Sequence, residues 1–203
     1  MAISVAQAFL HATTALKLPE AAFSAEVVRS ANDLQARIST FHFWHWLLTA
    51  ATNIAVSQST QDYTMAAGNQ NRVQEIADAN LLSGSTQLPA LLTRSSPILP
   101  RSSTEGQPHA VGLISPTQLR LYLVPDATYT LQWRYYAQPV VFTSNSDSYQ
   151  CPDTFEHVVL QGNIWKVMQL LDDERQDNQY NRFIAELTEL RRSDLRTAGR
   201  RRM

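Results

Sequence analysis

The chain has 203 residues and a mass of 22.9 kDa, and 44% of its residues are hydrophobic and 17% charged. A chain of this length buries roughly 70% of the surface that its unfolded form exposes, so it needs neither a disulfide nor a metal ion to fold. Cys151 is the only cysteine, which excludes an intrachain disulfide and fits a reducing compartment. No basic region precedes an apolar core at the N-terminus, and polar residues interrupt the uncharged stretch 41–61. We therefore expect a soluble protein without a signal peptide or a membrane-spanning helix.

The net charge of −1 hides an uneven distribution. Residues 191–203, which we call the basic segment, hold six arginines and one acid, so the first 190 residues carry about −6. A basic segment on an acidic body indicates a partner for that segment. An acidic protein groove and a nucleic acid are both candidates, although no aromatic residues are interleaved with the arginines. A solvated tail that merely follows a helix is the simplest alternative.

The first 46 residues favour two helices followed by an aromatic junction. The first apolar stripe has helical spacing and ends at Leu18-Pro19. A second helix is predicted to open at Ser24, whose hydroxyl can cap free backbone N–H groups, with Glu26 in the first turn. The two predicted stripes are Val5, Ala8, Phe9, Ala12 and Leu16, and then Val27, Ala31, Leu34, Ile38 and Phe41. The junction FHFWHWLL, residues 41–48, follows.

The middle of the chain favours strands. Residues 49–65 contain strand-favouring residues such as Thr52, Ile54 and Val56 and show no helical stripe. Residues 83–110 contain four prolines among many serines, which predicts a long surface loop or an extended hairpin. Two alternating runs then flank Pro125-Asp126-Ala127, which predicts a β-hairpin with one buried face. Their apolar or aromatic members are Leu119, Leu121 and Leu123, and then Tyr129, Leu131, Trp133 and Tyr135.

Helical periodicity returns near residue 152. Pro152 and Asp153 suit a first helical turn, and the acidic run 172–174 is predicted to end that helix. The last helix has the most regular amphipathic stripe of the chain. The two stripes are Phe155, Val158, Val159, Gly162, Trp165 and Met168, and then Tyr180, Phe183, Ile184, Leu187 and Leu190.

The sequence carries no recognisable catalytic or metal-binding motif. It contains neither GxGxxG nor GxxxxGK[ST], and no nucleophile elbow. His42 and His45 form an HxxH pair without a second pair of ligands, which favours aromatic packing over a metal site. The acidic run 172–174 lacks the alternate spacing of a calcium loop, and Cys151 has no neighbour that would activate its thiolate. We expect a protein that is not an enzyme and has no cofactor.

The C-terminal half resembles the head-to-tail adaptor proteins of tailed bacteriophages. The similarity is clearest over residues 115–192 and consists of packing and turn residues in a fixed order. These residues are Pro125, Tyr129, Leu131, Tyr135, Tyr136, Pro139, Asp147, Pro152, Phe155, Gly162, Trp165, Leu171 and Asp173.

The resemblance implies an α+β fold in which N- and C-terminal helices form a helical bundle with an inserted antiparallel β domain. Residues 1–46 and 150–192 would form the bundle, and residues 47–149 the insertion, which includes the long loop 83–110. Residues 193–203 would form an extended basic C-terminal arm.

The resemblance also implies partners. Adaptors of this kind form a ring, usually of twelve subunits, beneath the portal protein, where the ring extends the DNA channel and gives the tail a surface for attachment. The protein would then be a virion component at the head–tail junction, assembled in the cytoplasm of the bacterial host, in contact with DNA but without specific recognition. The portal-binding residues would be Arg191, Arg192, Arg196, Arg200, Arg201 and Arg202, and the loop facing tail, nozzle or neck proteins would use Leu91, Leu92, Arg94, Ile98 and Leu99. A different neck or tail-completion protein, or a nucleic-acid-binding module, are the alternatives.

Overall fold

The computed structural model describes residues 3–19, 26–65, 72–94 and 100–200. The fold is α+β, and the chain divides into two compact units. The helical unit consists of Met1–Trp46 and Pro139–Met203, and the β unit consists of Leu47–Gln138.

The helical unit contains four described α-helices. Their bounds are Val5–Ala15 (α1), Val27–Phe41 (α2), Glu156–Leu170 (α3) and Gln176–Arg200 (α4). A capping box starts α1, because the Ser4 hydroxyl accepts from the backbone N–H of Gln7 at 3.1 Å and the Gln7 side chain accepts from the backbone N–H of Ser4 at 3.0 Å. The predicted cap of α2, Ser24, lies outside the described residues.

Helix α3 is the centre of this unit and packs against the other three helices. The predicted stripe is confirmed, since all six of its residues are buried. Gly162 allows the closest approach, because an ideal Cβ at this position would lie 2.5 Å from Leu34 Cδ1 on α2 and 3.1 Å from Phe183 Cε2 on α4. The acidic run 172–174 lies in the turn between α3 and α4, as predicted.

The segment that follows the β unit belongs to the helical unit, so the chain re-enters it at residue 139 and not at residue 150. Side-chain amides of α2 take the place of a neighbouring strand for this segment. Gln35 donates to the Val140 carbonyl at 2.8 Å, and Asn32 both donates to the Phe142 carbonyl at 3.0 Å and accepts from the Phe142 N–H at 2.7 Å. These bonds satisfy an extended backbone without a sheet.

The β unit contains ten described strands, eight of which form two main sheets. The first sheet has the order β1-β10-β3-β4 and is antiparallel throughout; the second has the order β2-β8-β7-β5, with β5 parallel to β7. A short parallel pair joins β6 to β9. The bounds are Thr52–Val56 (β1), Asp62–Thr64 (β2), Val73–Ser83 (β3), Thr86–Ala90 (β4), Leu92–Arg94 (β5), Glu105–Gly106 (β6), Ala110–Ser115 (β7), Gln118–Tyr122 (β8), Val124–Pro125 (β9) and Tyr129–Ala137 (β10). Both main sheets contribute to one apolar core.

The predicted hairpin across residues 125–127 is wrong, although both of its strands exist. Strand β8 pairs with β2 and β7 in the second sheet, whereas β10 pairs with β1 and β3 in the first. Leu123 has a φ of +73°, and the next two residues pair with β6, so the chain turns away and enters the other sheet. Alternation identified the buried faces but not the strand partners.

The predicted long loop 83–110 contains several short strands in its described part. A tight turn with Gly84 at a φ of +58° joins β3 to β4, so the hairpin alternative describes its first part. Pro89 is tolerated because β4 lies at the edge of its sheet. Leu91 is buried in the core, and the short strands β5 and β6 follow.

Candidate partner-binding surface at the end of the last helix

Helix α4 changes its character along its length. Its first four turns hold the apolar stripe, in which Phe183 and Leu187 are buried against the rest of the helical unit. The helix then continues through residues 193–200, which the sequence analysis expected to form an extended arm. Arginine is a good helix former, and positive charge is favourable near the C-terminus of a helix, so the charged residues prolong the helix.

The arginines of the last turns point to solvent where the structure describes them. Arg191, Arg192 and Arg196 are exposed, and Leu195 beside them is 51% exposed. Arg192 forms an ion pair with Glu189 one turn earlier on the helix, and both side chains are more than half exposed. Arg200 is the last residue of α4, whereas Arg201 and Arg202 lie outside the described residues.

Asp194 holds this part of the helix in place. Its Oδ2 atom accepts from the backbone N–H of His45 at 3.3 Å and lies 3.2 Å from Nε2 of His42. The side chains of His42 and Asp194 are only 14% and 20% exposed, so water competes little for this contact. The His42 ring in turn packs edge to face on Trp44 at 5.0 Å, and Trp44 is fully buried.

Asp194 therefore anchors this end of α4, and its role was not predicted from the sequence. A signal for it was present, since Asp194 is the only acid among the six arginines of the basic segment. Its partners could not be found from the sequence because they lie about 150 residues away, in the aromatic junction 41–48.

An apolar groove runs between α3 and α4, next to the arginines. Its volume is about 410 Å³, and Oε1 of Glu186, which lines it, lies 2.9 Å from Nε2 of His157. Glu189, the partner of Arg192, also lines it, so the groove adjoins Arg192. Its full lining is Thr154, His157, Val158, Ala185, Glu186, Glu189 and Leu190.

The residues predicted to face the tail are separated by the fold. Leu91 is 6% exposed and belongs to the core of the β unit, so it is not available to a partner. Leu92 directly after it is 60% exposed. Arg94 ends β5, and Ile98 and Leu99 lie outside the described residues.

The remaining candidates for chemistry are accounted for by packing and ion pairs. Burial raises the pKa of the Cys151 thiol to about 12, so the sulfur stays protonated near neutral pH. The hydrogen bond from the Arg175 side chain lowers the pKa of Asp173 to about 2 in the turn between α3 and α4. Within the described ranges, no group of three or more His, Cys, Asp or Glu side chains could hold a metal ion.

The described helices also include none that combines the length and the apolar character needed to cross a bilayer. The helical unit presents exposed guanidinium groups beside an apolar groove. Guanidinium groups form planar, paired hydrogen bonds with carboxylates and phosphates.

The sequence model of the SU10 adaptor protein family matches residues 6–203, which is nearly the whole chain. The chain belongs to the SU10 adaptor protein family. It is thus a phage adaptor-type protein, and an adaptor of this family interacts with other structural proteins of the phage. Structural adaptors of phages are virion proteins and not an enzyme class. A search of curated proteins finds no match to this SU10 adaptor.

Proposed function

We propose that this SU10 adaptor is a head-to-tail adaptor that forms a ring beneath the portal protein, extends the DNA channel and provides the surface to which the tail attaches. Membership of an adaptor family supports the general role. The observation that carries the specific role is the end of α4, where Asp194 anchors the helix and exposed arginines follow and precede it.

The partner of the basic segment is an acidic surface of the portal. An anchored helix pays less conformational entropy on binding than a disordered tail, because its backbone is already ordered. Guanidinium groups on successive turns give a regular row of donors for carboxylates. The exposed Leu195 adds an apolar contact in the same row.

The DNA channel is consistent with the charge of the remaining chain. The first 190 residues carry about −6, and a wall of the same sign as DNA lets the duplex pass without binding it. On the tail side we propose the segment that begins at Leu92, which is the exposed apolar residue of that region.

The portal assignment is tested by deleting residues 197–203 and measuring capture of the phage's own portal protein. This truncation removes Arg200, Arg201 and Arg202 but keeps Asp194 and its contacts with His42 and His45. We expect a folded protein that no longer joins the portal. The matched control is Arg182→Gln, which removes an exposed arginine of the same helix outside the basic segment and should leave capture unchanged.

The same truncation separates the alternative function. A nucleic-acid-binding module would bind duplex DNA with an affinity that falls steeply as salt rises, and would lose that binding with residues 197–203. Unchanged portal capture by the truncated protein, together with loss of duplex binding, would replace the portal assignment by the nucleic-acid one.

A further inference from the structure

The first sheet of the β unit ends in two strands that each have one neighbour among the described residues. Strand β1 pairs with β10 only, and β4 pairs with β3 only. The outward backbone groups of an edge strand are unpaired donors and acceptors, which makes such an edge a template for another strand. Most residues of both strands are exposed.

Neither of these two strands carries a charge. Strand β1 reads TNIAV and β4 reads TQLPA, each over five residues. Natural sheets protect an open edge with short strands, charged residues, proline or β-bulges. Strand β1 contains neither a charge nor a proline. Strand β4 contains Pro89, which cannot donate a hydrogen bond, and its pairing with β3 is irregular near Asn80, so the registers in which a further strand can pair with β4 are limited.

The edge strands of the second sheet are shorter than those of the first and carry charges. Strands β2 and β5 have three residues each, and each contains a charged residue, Asp62 or Arg94. Asp62 is also covered by ionic contacts, since Arg120 binds both of its oxygens at 2.6 and 2.9 Å and Arg101 reaches it at 3.0 Å. The Arg120 hydrogen bonds lower the pKa of Asp62, so the carboxylate stays charged at neutral pH. By contrast, the edge strands β1 and β4 of the first sheet have five residues each and carry no charge.

The directions of the two open edges are complementary. The first sheet has four strands, and all three of its pairings are antiparallel, so β1 and β4 run in opposite directions. When a second copy is rotated about an axis parallel to the strands, its β1 therefore meets β4 of the first copy as an antiparallel neighbour. A contact that uses two different surfaces in this way is head-to-tail, and it closes into a ring when the rotation between successive copies divides a full turn.

The apolar face of the sheet also continues across such a contact. Ile54 at the middle of β1 and Leu88 at the middle of β4 are both partly buried and both pack against the common core. Placing the two strands side by side would bring Ile54 and Leu88 together on the core side. Each of these two side chains would then bury more of its apolar surface against a cross-strand neighbour.

We infer that β1 of one copy pairs with β4 of the next copy, so that the first sheets of neighbouring subunits join edge to edge. The occupant of each edge is a second copy of this chain, and the inference rests on the proposed ring. It assigns the lateral contact of that ring to the backbone of the β unit.

The test uses the full chain with cysteines at Ala55 and Gln87, the exposed neighbours of Ile54 and Leu88. Within one copy, β10 and β3 separate the two positions by three strand spacings, roughly 14 Å, so any disulfide between them joins two copies. A second double variant, Asn53→Cys with Gln87→Cys, covers a register shifted by two residues. The wild type, whose Cys151 thiol is partly buried, and the three single variants are the controls.

After mild oxidation we expect one double variant to give a ladder of reducible multimers on a denaturing gel, while every single variant stays monomeric there. Disulfide-linked multimers from a single variant would show that the same edge strand of two copies pairs with itself, and would overturn the inference. Absence of the ladder from both double variants would also overturn it, whatever their mass in solution. Rings detected by mass without the ladder would leave the proposed function standing and remove only this interface.

Discussion

Two stretches of one helix contrast most clearly in this protein. Residues 176–190 of α4 pack an apolar stripe into the helical unit, and residues 191–196 carry three exposed arginines together with the polar contacts of Asp194. The first stretch gains its stability from burial, and the second keeps its charges in water, where they are available to a partner. One continuous helix thus combines a folding element with a binding element, and substitutions in the two stretches should separate stability from binding.

The largest loss of stability is expected for Phe183→Ala in the first stretch. Phe183 is fully buried, and its ring stacks on Trp165 with a centroid distance of 5.8 Å and an interplanar angle of 13°. Removing the ring should cost about 3–5 kcal/mol of unfolding free energy, because it leaves a cavity. Urea unfolding followed by circular dichroism at 222 nm measures the loss. Arg182→Ala next to it should change the free energy by less than about 0.5 kcal/mol, and an equal loss there would contradict the contrast.

A smaller loss is expected for Gly162→Ala on α3, which faces the same stretch. Alanine favours a helix by about 1 kcal/mol over glycine, but its Cβ would lie 2.5 Å from Leu34 Cδ1, and Leu34 is fully buried. Overpacking should outweigh propensity and leave a net loss on the order of 1–2 kcal/mol. A double variant with Leu34→Ala provides the control, since the new methyl then has room. If the double variant loses as much unfolding free energy as the two single variants together, the contact with Leu34 is not the cause of the loss in Gly162→Ala.

Asp194→Ala should have a modest effect on stability and a local effect on order. The variant loses the hydrogen bond from the His45 N–H and the contact with His42, which together contribute about 1–2 kcal/mol. Hydrogen exchange of residues 191–196 should become faster, while that of residues 179–187 stays unchanged. Glu189→Ala, which removes only an exposed ion pair, is the control. Equal exchange rates of residues 191–196 in Asp194→Ala and the wild type would show that Asp194 does not anchor the end of α4.

The smallest effect on stability is expected when Arg191, Arg192 and Arg196 are all replaced by Gln. All three are exposed, and glutamine has a helix propensity close to that of arginine. The free energy of unfolding, measured by urea denaturation, should therefore change by about 0.5 kcal/mol or less per site. A large loss of helix in this variant would mean that the arginines are part of the fold.

Helical periodicity made much of the helical unit predictable. The stripes of α1, α3 and α4 and the acidic turn between α3 and α4 follow from residue spacing alone, because an apolar face on a helix has to be buried. The partners of the strands did not follow, since β8 and β10 both alternate yet belong to different sheets. Alternation specifies a buried face and leaves open which strand lies beside it.

The candidate surface was predicted in part. Charge counting found the arginines, because it needs only composition. The predicted helix ended at residue 192, whereas α4 extends to Arg200, and no role was predicted for Asp194. Leu91 was placed on a surface loop because prolines surround it, but an edge strand tolerates Pro89, and the chain then turns Leu91 into the core.

The central claim is that the exposed arginines at the end of α4 bind the portal protein. Its most direct test is the dissociation constant between the portal and the Gln triple variant at Arg191, Arg192 and Arg196, measured beside the wild type and Arg182→Gln. Each charged hydrogen bond contributes about 1.5–3 kcal/mol, so the triple variant should bind at least about a hundredfold more weakly, with unfolding unchanged. Binding equal to that of the wild type would contradict the claim.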